Sequence, residues 1–307
     1  MSGTALQHAA PGPTDAPPAD TPAGGSARPA WGVLLPLIGA AAMLLGLAWP
    51  VLGFWRREFT APDSFYSHGP LVPPLVALAL WHRRDRLRAA PAGTAPAALA
   101  LVLPATALLV QAVRLGSGWV GSLALLLTLA GSAWLLLGGR WMRAALPALA
   151  LLPLMSPLPS TLLNEATLGL QTLSTALAVR LLNLAGGHAV ASGTLLTLPG
   201  FDLWVAAACS GFQLLLSLLT FAAAFALLLD GPRARRLALL AAALPLALAA
   251  NAVRIALIGA AGAWSGPALA HRVDSAGAAI TLTLGFGALY LLAKGAKCRT
   301  LAGWPFF

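Results

Sequence analysis

Three polar residues stand out in a chain that is 59% hydrophobic: Cys209 in the run Ala-Cys-Ser-Gly-Phe, Arg254 in Asn-Ala-Val-Arg-Ile, and His271 ahead of the last apolar segment. A thiol, a permanent cation and an imidazole can serve as nucleophile, stabiliser of a developing anion and proton carrier in thiolate acyl transfer. Each also has a plainer role. A lone cysteine in an apolar helix is commonly an inert core residue, an arginine near a helix end snorkels to the headgroups, and a histidine at an interface is often structural. What weighs for chemistry is that the expected topology carries all three to one side of a membrane.

Only 9% of the 307 residues are charged, and the mean hydropathy is +0.81. With apolar runs recurring along most of its length, the chain reads as an all-α polytopic membrane protein, because hydrocarbon satisfies a helix's backbone and not an open strand's. The pI near 11.4 does not signal nucleic acid. The 19 basic residues fall in short clusters between apolar segments, where they act as topology determinants. Residues 1–30, rich in Pro, Ala, Gly, Thr and Ser, are expected to be a disordered tail. The span that follows reads as retained rather than as a cleaved signal. A short cytoplasmic tail is expected at 296–307. With Cys209 at the start of an apolar segment and Cys298 in that basic tail, no disulfide between them is expected.

About eight transmembrane helices are expected, at Trp31–Phe54, Leu71–Trp81, Ala97–Arg114, Trp119–Gly138, Ala144–Met155, Ser210–Leu229, Leu237–Trp264 and Asp274–Ala293. The second and fifth are shorter than the ~20 residues of a straight span, so they borrow flanking residues or cross only in part. Between the fifth and Cys209, Leu162–Ala185 carries Asn164, Thr167, Gln171, Ser174 and Thr175 on one stripe, as an extracytoplasmic amphipathic helix would. A full crossing by this segment is the alternative. Around Pro199-Gly200, Thr194–Leu198 and Asp202–Ala206 predict a small hairpin.

Orientation follows from Lys and Arg. With a cytoplasmic N-terminus and eight alternating spans, the inner regions hold Arg28, Arg83, Arg84, Arg86, Arg88, Arg140, Arg143, Arg233, Arg235, Arg236, Lys294, Lys297 and Arg299. Only Arg56, Arg57, Arg114, Arg180, Arg254 and Arg272 fall outside, so the positive-inside rule supports this arrangement. Cys209 then begins the sixth span at the outer face. Arg254, about 25 Å along a helix from Leu237, nears the outer end of the seventh. His271 lies in the outer loop or first turn of the eighth.

Local context adds detail. Ser210 and Gly211 should leave the first turn of a helix open, where backbone N–H groups and the helix dipole favour a thiolate and could serve an oxyanion. Asn251, one turn before Arg254, is placed to fix the guanidinium. Asp274 could orient the His271 imidazole, but a helix N-cap is the favoured role. His68 in Tyr-Ser-His-Gly either lines a substrate entrance or anchors the interface, Tyr66 and the tryptophans read as belt residues, and His188 reads as a loop residue. Asp63, Glu165 and Asp202 have no metal-ligand spacing with any histidine, so neither metal nor other cofactor is expected.

Taken together, Tyr66–Pro73 (YSHGPLVP) with the following WHRR, the Leu-Pro-Gly before the cysteine segment, Ala208–Gly211 (ACSG), Asn251–Ile255 (NAVRI), and His271 with Gly277 resemble the exosortase and archaeosortase family of membrane-embedded cysteine transpeptidases. The resemblance covers most of the chain after residue 30 and implies an exosortase-like transmembrane domain over 31–295. It places the catalytic Cys, Arg and His on Cys209, Arg254 and His271. It further implies cleavage, through a thioester, of a C-terminal sorting signal on exported proteins: a short motif such as Pro-Glu-Pro, a transmembrane helix and a basic tail. The cleaved protein passes to an acceptor whose identity the resemblance leaves open. The family commonly has an acidic residue two before the Cys and a basic one four after it; Ala207 and Gln213 stand there, which bears on substrate motif and subfamily. The Ala-, Gly-, Pro- and Arg-rich composition suits a GC-rich bacterium, hence a multi-pass inner-membrane protein with its site facing the periplasm.

Two rival readings make different demands. An intramembrane serine protease would use Ser210 with His271, but no Gly-x-Ser-x-Gly elbow surrounds Ser210. A non-enzymatic transporter or lipid-handling protein, with Arg254 on an anionic headgroup, would call for polar residues near midmembrane and an inverted repeat; neither is seen.

Overall fold

Apolar side chains cover the outside of this protein. Met43, Trp49, Trp81, Leu103, Leu181 and Trp264 are among many large hydrophobics left exposed, as expected where the surrounding solvent is lipid. The structure, a computed structural model, describes residues 31–62, 64–91, 93–229, 232–295, 300–301 and 304–305. The expected tails at 1–30 and 296–307, with Cys298, lie largely or wholly outside the described residues. The chain divides into two compact units, Met1–Leu44 and Leu45–Phe307.

Ten α-helices are described: α1 (Trp31–Thr60), α2 (Val72–His82), α3 (Arg84–Arg88), α4 (Leu99–Arg114), α5 (Gly118–Leu137), α6 (Gly139–Leu149), α7 (Ser160–Leu184), α8 (Phe212–Leu228), α9 (Arg233–Ser265) and α10 (Pro267–Gly295). Each of the eight apolar segments folds as a helix. Among the described residues, four helices are long and apolar enough to cross a membrane alone, or six if each bent pair counts as one span. The expected eight is not reached by that measure, because α2 with its leading 3₁₀ turn and α8 are shorter than a straight crossing requires.

The short second and fifth segments run side by side and are bonded at both ends. Arg83, just after α2, donates to the Ala144 carbonyl in α6 at 3.5 Å, and His68, just before α2, bonds the Leu154 carbonyl at 3.3 Å. Tyr66 is not in an aromatic belt. It is 2% exposed, and its hydroxyl accepts the Leu158 N–H at 2.9 Å, because a buried phenol must find a partner. Trp55 is likewise buried, on Ser122, whereas Trp49, Trp81, Trp204 and Trp264 are exposed.

After Met155 the chain turns by 84° into α7. Most of the polar stripe turns inward: Thr167, Gln171, Ser174 and Thr175 are buried, while Asn164 stays exposed, as do Leu162, Leu168, Leu173, Leu181 and Leu184. Most of the inward hydroxyls are spent locally, Thr167 on Leu163 and Thr175 on Gln171. The predicted hairpin gains a strand. β1 (Val190–Ser192), β2 (Leu195–Leu198) and β3 (Phe201–Trp204) form an antiparallel meander in that order, and two short pairing strands, β4 (Thr300–Leu301) and β5 (Trp304–Pro305), lie near the C-terminus.

Two buried clusters meet at α9. Leu214, Leu218, Ala243, Ala247 and Leu289 join α8, α9 and α10, and Ala178, Leu182, Leu196, Leu198 and Ile255 join α7, the meander and α9. Small residues permit the close approach. A Cβ on Gly262 in α9 would collide with the Phe201 ring of β3.

Candidate active site

Cys209 ends a 3₁₀ turn, Ala207–Cys209, set between β3 and α8. That turn is tethered on both sides by buried side-chain amides. Gln171 of α7 donates to the Val205 carbonyl at 3.1 Å, and Asn251 of α9 donates to the Cys209 carbonyl at 3.0 Å. Asn251 therefore holds the cysteine's backbone, rather than the Arg254 guanidinium it was expected to fix. Burying an amide at 1% exposure is costly unless it is bonded, and the carbonyl at the end of the turn is the acceptor within reach.

Gly211 makes the approach of α8 to α9 possible. Its φ of +80° lies in the left-handed region, and a Cβ there would stand 2.8 Å from the Asn251 side chain. The first turn of α8 is less open than the sequence suggested. Ser210 is 1% exposed, and its hydroxyl accepts the Phe212 N–H at 3.1 Å, closing one of the donors that an anion would otherwise use.

The Cys209 Sγ lies 3.9 Å from Asp274 Oδ1, and the same oxygen accepts Arg254 Nη2 at 2.7 Å. Asp274 is thus no N-cap. α10 begins at Pro267, seven positions earlier, which puts Asp274 inside the helix and on the face toward α9. An acid among apolar helices is stable when charge-paired, and Arg254 is its partner. Arg254 keeps further donors: its side chain is 15% exposed, and its buried Nε has no hydrogen-bond partner among the described residues. Gly277 clears its path, since a Cβ at that position would sit 2.8 Å from Arg254 Nε.

A cavity of about 280 Å³ opens beside the thiol, walled by Cys209, His271, Asp274, Ile255, Trp204 and Phe201 among others. His271 and Asp274, three apart on α10, share its wall, with His271 exposed. Of the three residues singled out as chemical groups, two therefore line one cavity, and Arg254 joins them through Asp274. Arg254 itself lines a neighbouring 50 Å³ recess with Gly211, Gln213 and Asn251.

His68 is not part of this group. It is buried among α2 and the turn after α6, with Nε2 on the Leu154 carbonyl and Nδ1 without a partner among the described residues. An accepting carbonyl requires the hydrogen on Nε2. Burial pushes its pKa below the ordinary 6.5, and the Leu154 carbonyl opposes this in part, so the ring is neutral near pH 7. The adjacent Ser67 does connect to the site region, accepting from Gln213 at 2.8 Å.

An apolar cavity holding a thiol, an imidazole and a carboxylate, backed by a guanidinium, has the parts for nucleophilic attack, proton transfer and stabilisation of negative charge. Sequence reasoning missed Asp274 in this role and Gln171 as a tether. The signal for Asp274 was an acid within an apolar helical run, which demands a cation nearby. A family model described as transmembrane exosortase matches residues 55–293, while no curated protein and no solved structure gives a match. That family processes sorting signals of exported proteins within a membrane. The match runs from Trp55 in α1 to Ala293 in α10 and takes in every element around the cavity, and on that extent the chain belongs to the transmembrane exosortase family.

Proposed function

We propose that this chain is a cysteine transpeptidase that cuts the C-terminal sorting signal from exported proteins and passes them to an acceptor. The observation that carries the reading is the sharing of one cavity by Cys209, His271 and Asp274, with Arg254 bonded to Asp274. Cys209 gives its proton to His271 and attacks the scissile carbonyl beside the signal's transmembrane helix. The tetrahedral oxyanion is met by Arg254, whose planar guanidinium retains donors beyond the one Asp274 occupies. As the intermediate collapses, the C–N bond breaks, His271 returns the proton to the leaving amine, and an acyl thioester remains on sulfur. An acceptor nucleophile then loses its proton to His271, attacks the thioester and releases the thiol.

Asp274 holds Arg254 next to the sulfur and shares the cavity wall with His271. Phe201, Trp204 and Ile255 supply an apolar seat suited to the residues flanking a transmembrane helix. The same reading places the site on the periplasmic side of a bacterial inner membrane, with the basic loops inside. Replacing Cys209 by Ala and following an exported protein that carries such a signal on a gel tests the scheme: processing should stop, and continued processing would end it. The serine-protease alternative has less support, because Ser210 is buried and its hydroxyl is engaged with the Phe212 N–H.

A further inference from the structure

At the end of α8 away from Cys209, a second cavity of about 380 Å³ lies between α6, α8 and α9 and reaches Arg83 at the end of α2. Its walls are apolar, with Leu151, Leu154, Ala223, Ala226 and Leu240 among them, and its rim carries Arg83, Arg233 and Arg236. Arg236 reaches the Ala226 carbonyl with Nη1 at 3.3 Å, yet its buried Nε has no hydrogen-bond partner among the described residues. Arg83 spends one nitrogen on Ala144. Among the described residues none of these three arginines is ion-paired; the nearby Asp85 pairs instead with Arg84 at 3.9 Å. Burial, then the charges of Arg86 and Arg236, weaken Arg83's hold on its proton. The guanidinium nevertheless stays charged at neutral pH.

Like charges held together, one with a buried unsatisfied donor, call for an anion with several acceptor oxygens. A free phosphate would answer the rim and leave the apolar walls without packing partners. The basic tail of a sorting signal would be repelled. We propose that this cavity binds an anionic membrane phospholipid, its phosphate across Arg83, Arg233 and Arg236 and an acyl chain against Ala223, Ala226 and Leu240. Both parts of the site are then matched, as in basic recesses between transmembrane helices. The bound lipid would bridge α2, α6, α8 and α9 at the end of the bundle that the positive-inside rule makes cytoplasmic, about 25 Å along α8 from the thiol.

The test is native mass spectrometry of the full chain, purified in detergent and exchanged against dioleoylphosphatidylglycerol or dioleoylphosphatidylcholine, with millimolar inorganic phosphate as competitor. The wild type should retain phosphatidylglycerol over phosphatidylcholine by on the order of thirtyfold, about fivefold for each of two well-placed arginines. Arg83→Gln with Arg236→Gln should abolish the preference, and Arg83→Lys with Arg236→Lys should keep most of it. Ala226→Phe, which fills the apolar half and leaves the arginines in place, should lower retention about tenfold, the loss of one well-packed apolar contact region. Each variant is compared only if it elutes as the wild type does and unfolds at a similar temperature. Equal retention of the two lipids by the wild type, or unchanged preference in the double glutamine variant, would overturn the proposal. So would full displacement by inorganic phosphate, which would mark an anion site without a lipid.

Discussion

Asp274 is the residue on which the reading of the site turns. It is 2.7 Å from Arg254 and 3.9 Å from the thiol. Its side chain is 37% exposed, so the ion pair adds little to stability, within about 1 kcal/mol. Its contribution is to position Arg254. Asp274→Asn is therefore expected to lower the rate of signal cleavage by about a hundredfold, the scale of losing one preorganised electrostatic group, while unfolding in a detergent titration barely moves. A large stability loss with unchanged turnover would reverse that assignment. Gly277→Ala should act on the same guanidinium through its backbone position, reducing cleavage more than stability.

His68 makes a different prediction. Its folded-state pKa lies below the ordinary 6.5, so between those two values the unfolded chain binds more protons than the folded one. Stability should hold above pH 6.5 and fall as the pH drops below it. Unfolding measured from pH 8 to pH 5 should show that fall in the wild type and a flatter profile in His68→Gln; parallel profiles would show that the ring is not what titrates. These residue-level features were only partly legible in the sequence. Cys209, Arg254 and His271 were identifiable by type, but it is the fold that brings Cys209 and His271 to one cavity and Arg254 to Asp274. Asp274 was misread as a cap because its partners stand 20 and 65 positions away, and only helix packing brings them within reach.

At the scale of elements, the cysteine turn is held by contacts from three helices. Gln171 from α7 and Asn251 from α9 tether it, and Gly211 lets α8 begin against α9. Gly211→Ala should destabilise the protein by about 1–2 kcal/mol from the left-handed φ alone, with more from the contact with Asn251, and should reduce activity along with stability. Asn251→Ala should cost roughly 1 kcal/mol for the lost bond to the half-buried Cys209 carbonyl, read as a lowered unfolding midpoint. The helices themselves were readable, because apolar runs of this length have one spanning form. The direction of the α7 stripe was not. A polar stripe looks the same in sequence whether it meets water or protein, and here the leucines take the outside while the hydroxyls pack inward.

At the scale of the molecule, the arginine-lined cavity and the candidate site lie toward opposite ends of α8. Arg83, Arg233 and Arg236 gather around one cavity, while Cys209, Asp274 and His271 gather around another at the far end of α8. Positive-inside topology predicts that a cysteine at Ser117, between α4 and α5, reacts with a membrane-impermeant maleimide in spheroplasts, and that one at Ala234 reacts only after lysis, both in a background lacking the native thiols. The opposite pattern would invert the protein. Span counting from sequence ran ahead of the structure, since α2 and α8 fall short of a straight crossing and lean on their neighbours.

The central claim is that the Cys209 sulfur forms an acyl bond with the exported protein. Intact-mass analysis of the purified enzyme, acid-quenched during turnover of a co-expressed protein bearing a C-terminal motif, transmembrane helix and basic tail, tests it most directly. The account predicts an adduct equal in mass to the protein without its signal, released by hydroxylamine and absent in Cys209→Ala. Cleavage of that protein by Cys209→Ala, or an adduct on any residue other than Cys209, would contradict it.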